Sequence, residues 1–177
     1  MDRSTNVRKA GELSLCAMLT ALSLVVLTIA TTAPSGRLGL TAVAGLFPAA
    51  AVVSYGLPAG LLCYAGTSLL ALLLLADKTI ALLYLLFFGL YPMVKGAVER
   101  LRRLPLELVL KLFFFNLMYT VVLRGFSGLL AGYFFLADRA LAVVYLTGNV
   151  VFLLYDFGFS KVIGFYRQRV EKVLRKR

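Results

Sequence analysis

ELSLCAMLTALSLVVLTIATTA, residues 12–33, carries one charged side chain, Glu12, at its first position, and none afterwards. About 20 consecutive apolar residues suffice for a helix to cross roughly 30 Å of hydrocarbon, and this stretch meets that length. Its leucines and valines form a block, not a stripe on one face or a strict alternation. That pattern suits a helix with apolar surroundings on every side.

The same kind of block recurs along the chain. Of the 177 residues 61% are hydrophobic and only 15% are charged, too few charges for a water-soluble domain of this length. Six spans are expected, at about 12–33, 38–55, 57–76, 79–98, 106–124 and 140–160. The expected fold is an all-α integral membrane protein: one transmembrane domain over residues 1–177, a bundle of six helices, ending in a basic tail at 161–177. Thr31-Thr32-Ala33 is weakly cleavage-like. The apolar run before it is longer than a signal-peptide core and further spans follow, so a retained first helix is expected.

Charge orients the bundle. With the N-terminus inside, the inner segments hold fourteen cations, including Arg8, Lys95, Arg100, Arg103 and Arg167, whereas the outer loops hold four: Arg37, Lys78, Arg124 and Arg139. This asymmetry predicts cytoplasmic N- and C-termini in a multi-pass protein of a bacterial inner membrane. The net charge of +11 is then mostly topology, with anionic membrane lipid as the partner of the inner face and no need of nucleic acid. The segment VEKVLRKR (170–177) also suits a short amphipathic helix lying on that leaflet.

Two inner turns are legible. In SYGLPAG (54–60) Gly56 supplies the turn and Pro58 suits the first turn of a new helix. In RRLPLELVLK (102–111) Pro105 opens a helix, with Glu107 and Lys111 spaced i, i+4. Lys111 is expected to snorkel to the headgroups. Asp156, near the inner end of the last span, is expected to pair with Lys161 or a loop arginine. Cys16 and Cys63 lie in apolar blocks and read as reduced, buried small residues. GFSGLLAGYFFL (125–136) is too short for a span and reads as a bent extension or a loop folded back over the bundle.

Polar side chains inside a bilayer are costly, and each is a functional candidate. Tyr84 and Phe88 in the fourth span, Asn116 and Tyr119 in the fifth, and Tyr145 and Asn149 in the sixth would line a substrate cavity open to the outside if these helices pack together. Arg37, Arg124 and Arg139 would stand near its mouth. Each residue also has a plain structural role open to it, since asparagine bonds neighbouring helices and tyrosine anchors span ends. There is no histidine, no second buried carboxylate to complete a cation cage, no phosphate-binding G-x-x-x-x-G-K-[ST] loop and no visible nucleophile–base pair. Neither a metal, a cofactor nor an enzymatic activity is expected, and any ATP-driven step needs another polypeptide.

Ser14, Ala17, Ala21, Thr28 and Thr31 form a small-residue stripe on the first span, interrupted by Leu24; Gly60, Cys63, Thr67 and Ala71 form another on the third. Such stripes let helix backbones approach closely in lipid, within the chain or against a partner. Ala17-Met18-Leu19-Thr20-Ala21, after a basic N-terminal segment, and FPAAAVVSYGLPAGLLCYAGTSLLALLLL (47–75) together resemble the substrate-binding S components of energy-coupling-factor (ECF) vitamin transporters. Those are six-span proteins with both ends inside, whose first helix carries an A-x-x-x-A motif. The resemblance implies that Ala17 and Ala21 meet a transmembrane coupling protein driven by cytosolic ATPases. It also implies that the last three helices and outer loops, including TAPSGRLGL (32–40), bind a vitamin or other small nutrient from outside. The alternative is a non-transport scaffold in cell-envelope or spore assembly, holding protein partners on the same small-residue faces.

Overall fold

The structure, a computed structural model, describes residues 3–101, 103–125 and 141–174. The expected feature at 125–136 lies, apart from Gly125, outside the described residues. Six helical segments are long and apolar enough to cross a membrane: Lys9–Thr32, Arg37–Tyr55, Leu57–Leu74, Lys78–Leu101, Leu104–Arg124 and Ala142–Arg169. They fit a multi-pass membrane protein and match the expected spans closely, except that the last is longer.

Helix α1 is Arg3–Thr32, α2 Arg37–Ala44, α3 Leu46–Tyr55 and α4 Leu57–Leu74. Helix α5 is Lys78–Leu83, α6 Tyr91–Val98, α7 Leu104–Gly125 and α8 Leu141–Leu174. Helix α8 runs into the basic tail without a break.

Burial is inverted relative to a water-soluble bundle. Ala44, Ala51, Ala59 and Ala71 are fully buried, while Leu73 and Leu154 are each 69% exposed. In lipid there is no hydrophobic gain in hiding leucine, so helices meet where small residues permit close contact. Helices α1 and α4 meet in this way. Cys16 Sγ donates to Ala59 O at 3.4 Å, and Thr20 Oγ1 lies 3.5 Å from Cys63 O. Both cysteines are free and buried. The stripe on α4 is therefore internal: Cys63, Thr67 and Ala71 are buried, and a Cβ on Gly60 would meet Val52 Cγ2 at 2.1 Å and Pro48 O at 3.3 Å.

The stripe on α1 is not internal. The residues this helix buries are Cys16, Leu19, Ser23, Leu27 and Ala30. Ala17 and Ala21, about 100° further round the helix, face outward with Ser14 and Thr28.

The α3–α4 hairpin turns where expected. Gly56 has φ 92° and ψ −177°, a region open essentially to glycine alone, and Pro58 lies in the first turn of α4.

The regular α-helical pattern of two of the six segments is interrupted partway along. In the second, α2 ends at Ala44 and α3 begins at Leu46, with Gly45 between them in right-handed helical geometry; in the fourth, α5 leads into a π-helical turn, Tyr84–Phe88, before α6. The interruptions face one another: a Cβ on Gly45 would meet the Phe88 carbonyl oxygen at 2.4 Å. Backbone carbonyls at the interruptions are held by side chains from neighbouring helices, as apolar surroundings demand. Ser23 Oγ donates to Ala44 O at 3.1 Å, and Tyr64 OH donates to Leu85 O at 2.8 Å. The second half of the chain packs differently, through rings. Phe115 and Phe152 stack at 4.6 Å, and Phe87, Tyr91 and Phe159 close around them.

Candidate functional site

Three helices bring charged side chains to one point. Helix α6 supplies Tyr91 and Lys95, the 3₁₀ turn after it (Glu99–Leu101) supplies Glu99, α7 supplies Lys111, and α8 supplies Asp156 and Ser160. The two lysines sit well inside their segments: Lys95 lies about 10 Å from the end of the fourth at a 1.5 Å rise per residue, and Lys111 a similar distance from the start of the fifth, whereas Glu99 stands two residues from the end of the fourth and is half-exposed. The cluster lies toward the end of the bundle that holds the start of α1 and the end of α8.

The two ammonium groups are almost completely enclosed, with Lys95 5% and Lys111 7% exposed. Lys95 Nζ donates to Asp156 Oδ1 and to Ser160 Oγ at 2.8 Å, and pairs with Glu99 Oε1 at 2.9 Å. Three N–H groups thus find three oxygens. Lys111 Nζ donates to Glu99 Oε1 at 3.0 Å and to Asp156 Oδ2 at 3.2 Å. Tyr91 OH also donates to Asp156 Oδ1. Ser160 Oγ accepts from Lys95 and donates its own hydrogen bond to the Asp156 carbonyl oxygen at 2.8 Å. Two cations and two carboxylates make the cluster neutral, which is how charge is tolerated away from water.

This geometry corrects two expectations. Lys111 does not snorkel outward and does not pair with Glu107, because Glu99 and Asp156 offer it two carboxylates within the protein. Asp156 is held by Lys95, Lys111 and Tyr91, not by Lys161, whose ammonium lies 5.3 Å over the Phe157 ring. Lys95, one of the inner cations that orient the bundle, is buried in the cluster and not at the membrane surface. The sequence does carry a signal for the cluster: Lys95, Lys111 and Asp156 all fall inside expected spans, each toward the inner end.

The expected substrate-lining residues fall into two groups. Asn116, Tyr119, Tyr145 and Asn149 come together between α7 and α8. The asparagine amides bond reciprocally, Asn116 Nδ2 to Asn149 Oδ1 at 2.9 Å and Asn149 Nδ2 to Asn116 Oδ1 at 3.1 Å. Each also donates to the carbonyl four residues before it, Leu112 O and Tyr145 O, both at 2.8 Å. Toward the far end, Thr120 Oγ1 and Tyr145 OH are 2.7 Å apart, and the Tyr119 and Tyr145 rings meet edge to face at 5.5 Å. Gly148 permits this approach, since a Cβ there would lie 3.1 Å from the Tyr119 ring.

Tyr84 and Phe88 stand apart from that ladder, on the π-helical turn. Tyr84 is fully buried, its OH 3.4 Å from Ser23 Oγ. Phe88 packs edge to face on Tyr155 at 5.6 Å. Arg37 lies at the opposite end of the bundle from the ion cluster. It pairs with Asp77 at 3.4 Å, and its Nε donates to Ala33 O at 2.8 Å. Asp77 also caps α5 by accepting from Thr79 N at 2.9 Å. Arg124 is exposed, and Arg139 lies outside the described residues.

The arrangement thus has three parts along one axis: an arginine–aspartate pair at one end, amides and rings midway between α7 and α8, and a neutral ion cluster toward the other end. No protein-family model, curated protein or solved structure matches the chain.

Proposed function

We propose that this chain is the substrate-binding membrane subunit of an ECF-type importer for a vitamin or similar small nutrient. A separate transmembrane coupling protein and cytosolic ATPases would energise it. The observation that carries this reading is the outward placement of Ala17 and Ala21 while the adjoining face of α1 is packed. A small-residue face left outside the bundle is suited to close contact with a second membrane protein.

Two further features support a carrier. The facing interruptions in the second and fourth segments resemble the discontinuous helices that form binding sites in membrane transporters. The Asn116, Asn149, Thr120 and Tyr145 groups are polar partners that a small molecule entering from the Arg37 end would meet. Their bonds to one another are exchangeable for bonds to a ligand. Both chain ends would lie in the cytoplasm of a bacterial cell, following the charge asymmetry.

The test is a ligand screen. The purified chain, offered a panel of vitamins and nucleobases, should show a raised melting temperature with one chemical class, because a ligand bound only by the folded state stabilises it. The Asn116→Leu and Asn149→Leu proteins should lose that rise by more than they lose stability. If no compound in a broad panel raises the melting temperature, the carrier reading fails and the envelope or spore scaffold takes its place.

A further inference from the structure

A cavity of about 510 Å³ opens beside the ion cluster, between α3, α6 and α8. Its size is that of a small-molecule or lipid-fragment site. The three helices run in the same direction through the bundle, so their residue numbers serve as a common depth scale. Deep in the cavity the walls are apolar: Ala49, Pro92 and Phe159. Halfway along, Val52 and Ile163 continue the apolar wall beside Lys95. At the rim stand Glu99, Arg100 and Arg167. From Phe159 to Arg167 is about 12 Å along the helix axis.

The charged lining comprises three cations, Lys95, Arg100 and Arg167, against one carboxylate, Glu99. Lys95 already donates to Asp156 and Ser160 and pairs with Glu99, so it contributes field and not a further bond. Arg100 and Arg167 are exposed at the rim, and a guanidinium, with five N–H donors in a planar fork, suits a phosphate geometrically.

An apolar slot about 12 Å deep beneath a cationic rim, cut into the side of a membrane bundle, has the polarity profile of a phospholipid. Hydrocarbon lies deep and phosphate shallow. We propose that this cavity holds one anionic phospholipid of the adjacent leaflet, its phosphate between Arg100 and Arg167 and an acyl chain along Val52, Ile163 and Phe159. Basic pockets between spans at the cytoplasmic side bind lipid headgroups by this combination of field and shape. The lipid would cover the open flank of the ion cluster and keep water from Lys95 and Asp156. This inference concerns a different site from the nutrient-binding ladder and is independent of the cargo.

The full chain in neutral detergent is titrated separately with phosphatidylglycerol, phosphatidylcholine and inorganic phosphate, and its melting temperature is followed. Phosphatidylglycerol should give a saturable rise that phosphatidylcholine does not. Arg100→Gln combined with Arg167→Gln should weaken the apparent affinity for phosphatidylglycerol at least about tenfold, from the loss of two cations near an anionic group. Lys161→Gln combined with Arg169→Gln removes two exposed cations of α8 outside the cavity and should change it by less than about threefold. Equal effects of the two lipids, or equal losses in the two double variants, would overturn the site in favour of general charge attraction. A rise reproduced in full by inorganic phosphate would overturn the lipid as occupant.

Discussion

Replacing Asp156 with asparagine would leave Lys95 and Lys111 sharing one carboxylate, Glu99. Removing one partner of an enclosed ion pair strands a charge, at a cost of about 3 kcal/mol. The D156N protein should therefore melt well below the parent in the same detergent. The double variant Lys95→Met with Asp156→Asn removes one charge of each sign and should regain most of the loss, because Lys111 and Glu99 still balance. If the double variant is as unstable as the sum of the two singles, the cluster is not the electrostatic unit described. This cluster was only partly legible in the sequence. Lys95, Lys111 and Asp156 are each visible in an apolar segment, but Lys95 and Asp156 are 61 positions apart and Lys111 and Asp156 are 45 apart. Charge counting placed Lys95 with the topology signal, since periodicity does not reveal which helices will adjoin. The turn at Gly56 and Pro58 was fully legible because its chemistry is local.

At the scale of the element, the interruptions in the second and fourth segments make a sharp contrast between two glycines. Gly45→Ala drives a methyl into the Phe88 carbonyl, a backbone atom that cannot rotate away, and should cost about 1–3 kcal/mol. Gly39→Ala, in α2, meets nothing within 4 Å and should be neutral or slightly stabilising, since alanine favours helix. Thermal melts of the two proteins side by side check both. Between α7 and α8, Asn116→Leu alone leaves Asn149 without its cross-helix partner and should cost about 0.6–1.7 kcal/mol. Replacing both asparagines should cost less than the two singles added. The existence and limits of the six segments were legible from apolar length. The interruptions were not, because a π-helical turn and a one-residue interruption at Gly45 leave no mark on hydropathy. The phase of α1 was also hidden. Its outward small stripe and its buried face lie about 100° apart, and both contain small residues, so only contacts with α2, α3 and α4 decide between them.

Across the whole molecule, small residues predominate inside the first four helices, rings fill the space between the π-helical turn, α6, α7 and α8, and many large aliphatic side chains face outward. That inversion fits an apolar solvent and was foreshadowed by composition alone. What composition left open was whether the small-residue face of the first helix was used within the chain. The internal packing of α1 employs Cys16, Leu19, Ser23 and Leu27, which leaves Ala17 and Ala21 on the outer surface. Enlarging these two alanines should therefore leave the fold intact. The Ala17→Trp, Ala21→Trp protein should melt within about 0.5 kcal/mol of the parent, as for other surface substitutions. The most direct test of the proposed role is to express the tagged full chain in a bacterial host together with an ECF-type coupling protein and its ATPases and to measure their recovery with it. The parent should recover the coupling protein in a fixed ratio, and the tryptophan variant, equally stable, should recover none. Undiminished recovery with the variant, or no recovery with the parent, would contradict docking through the first helix.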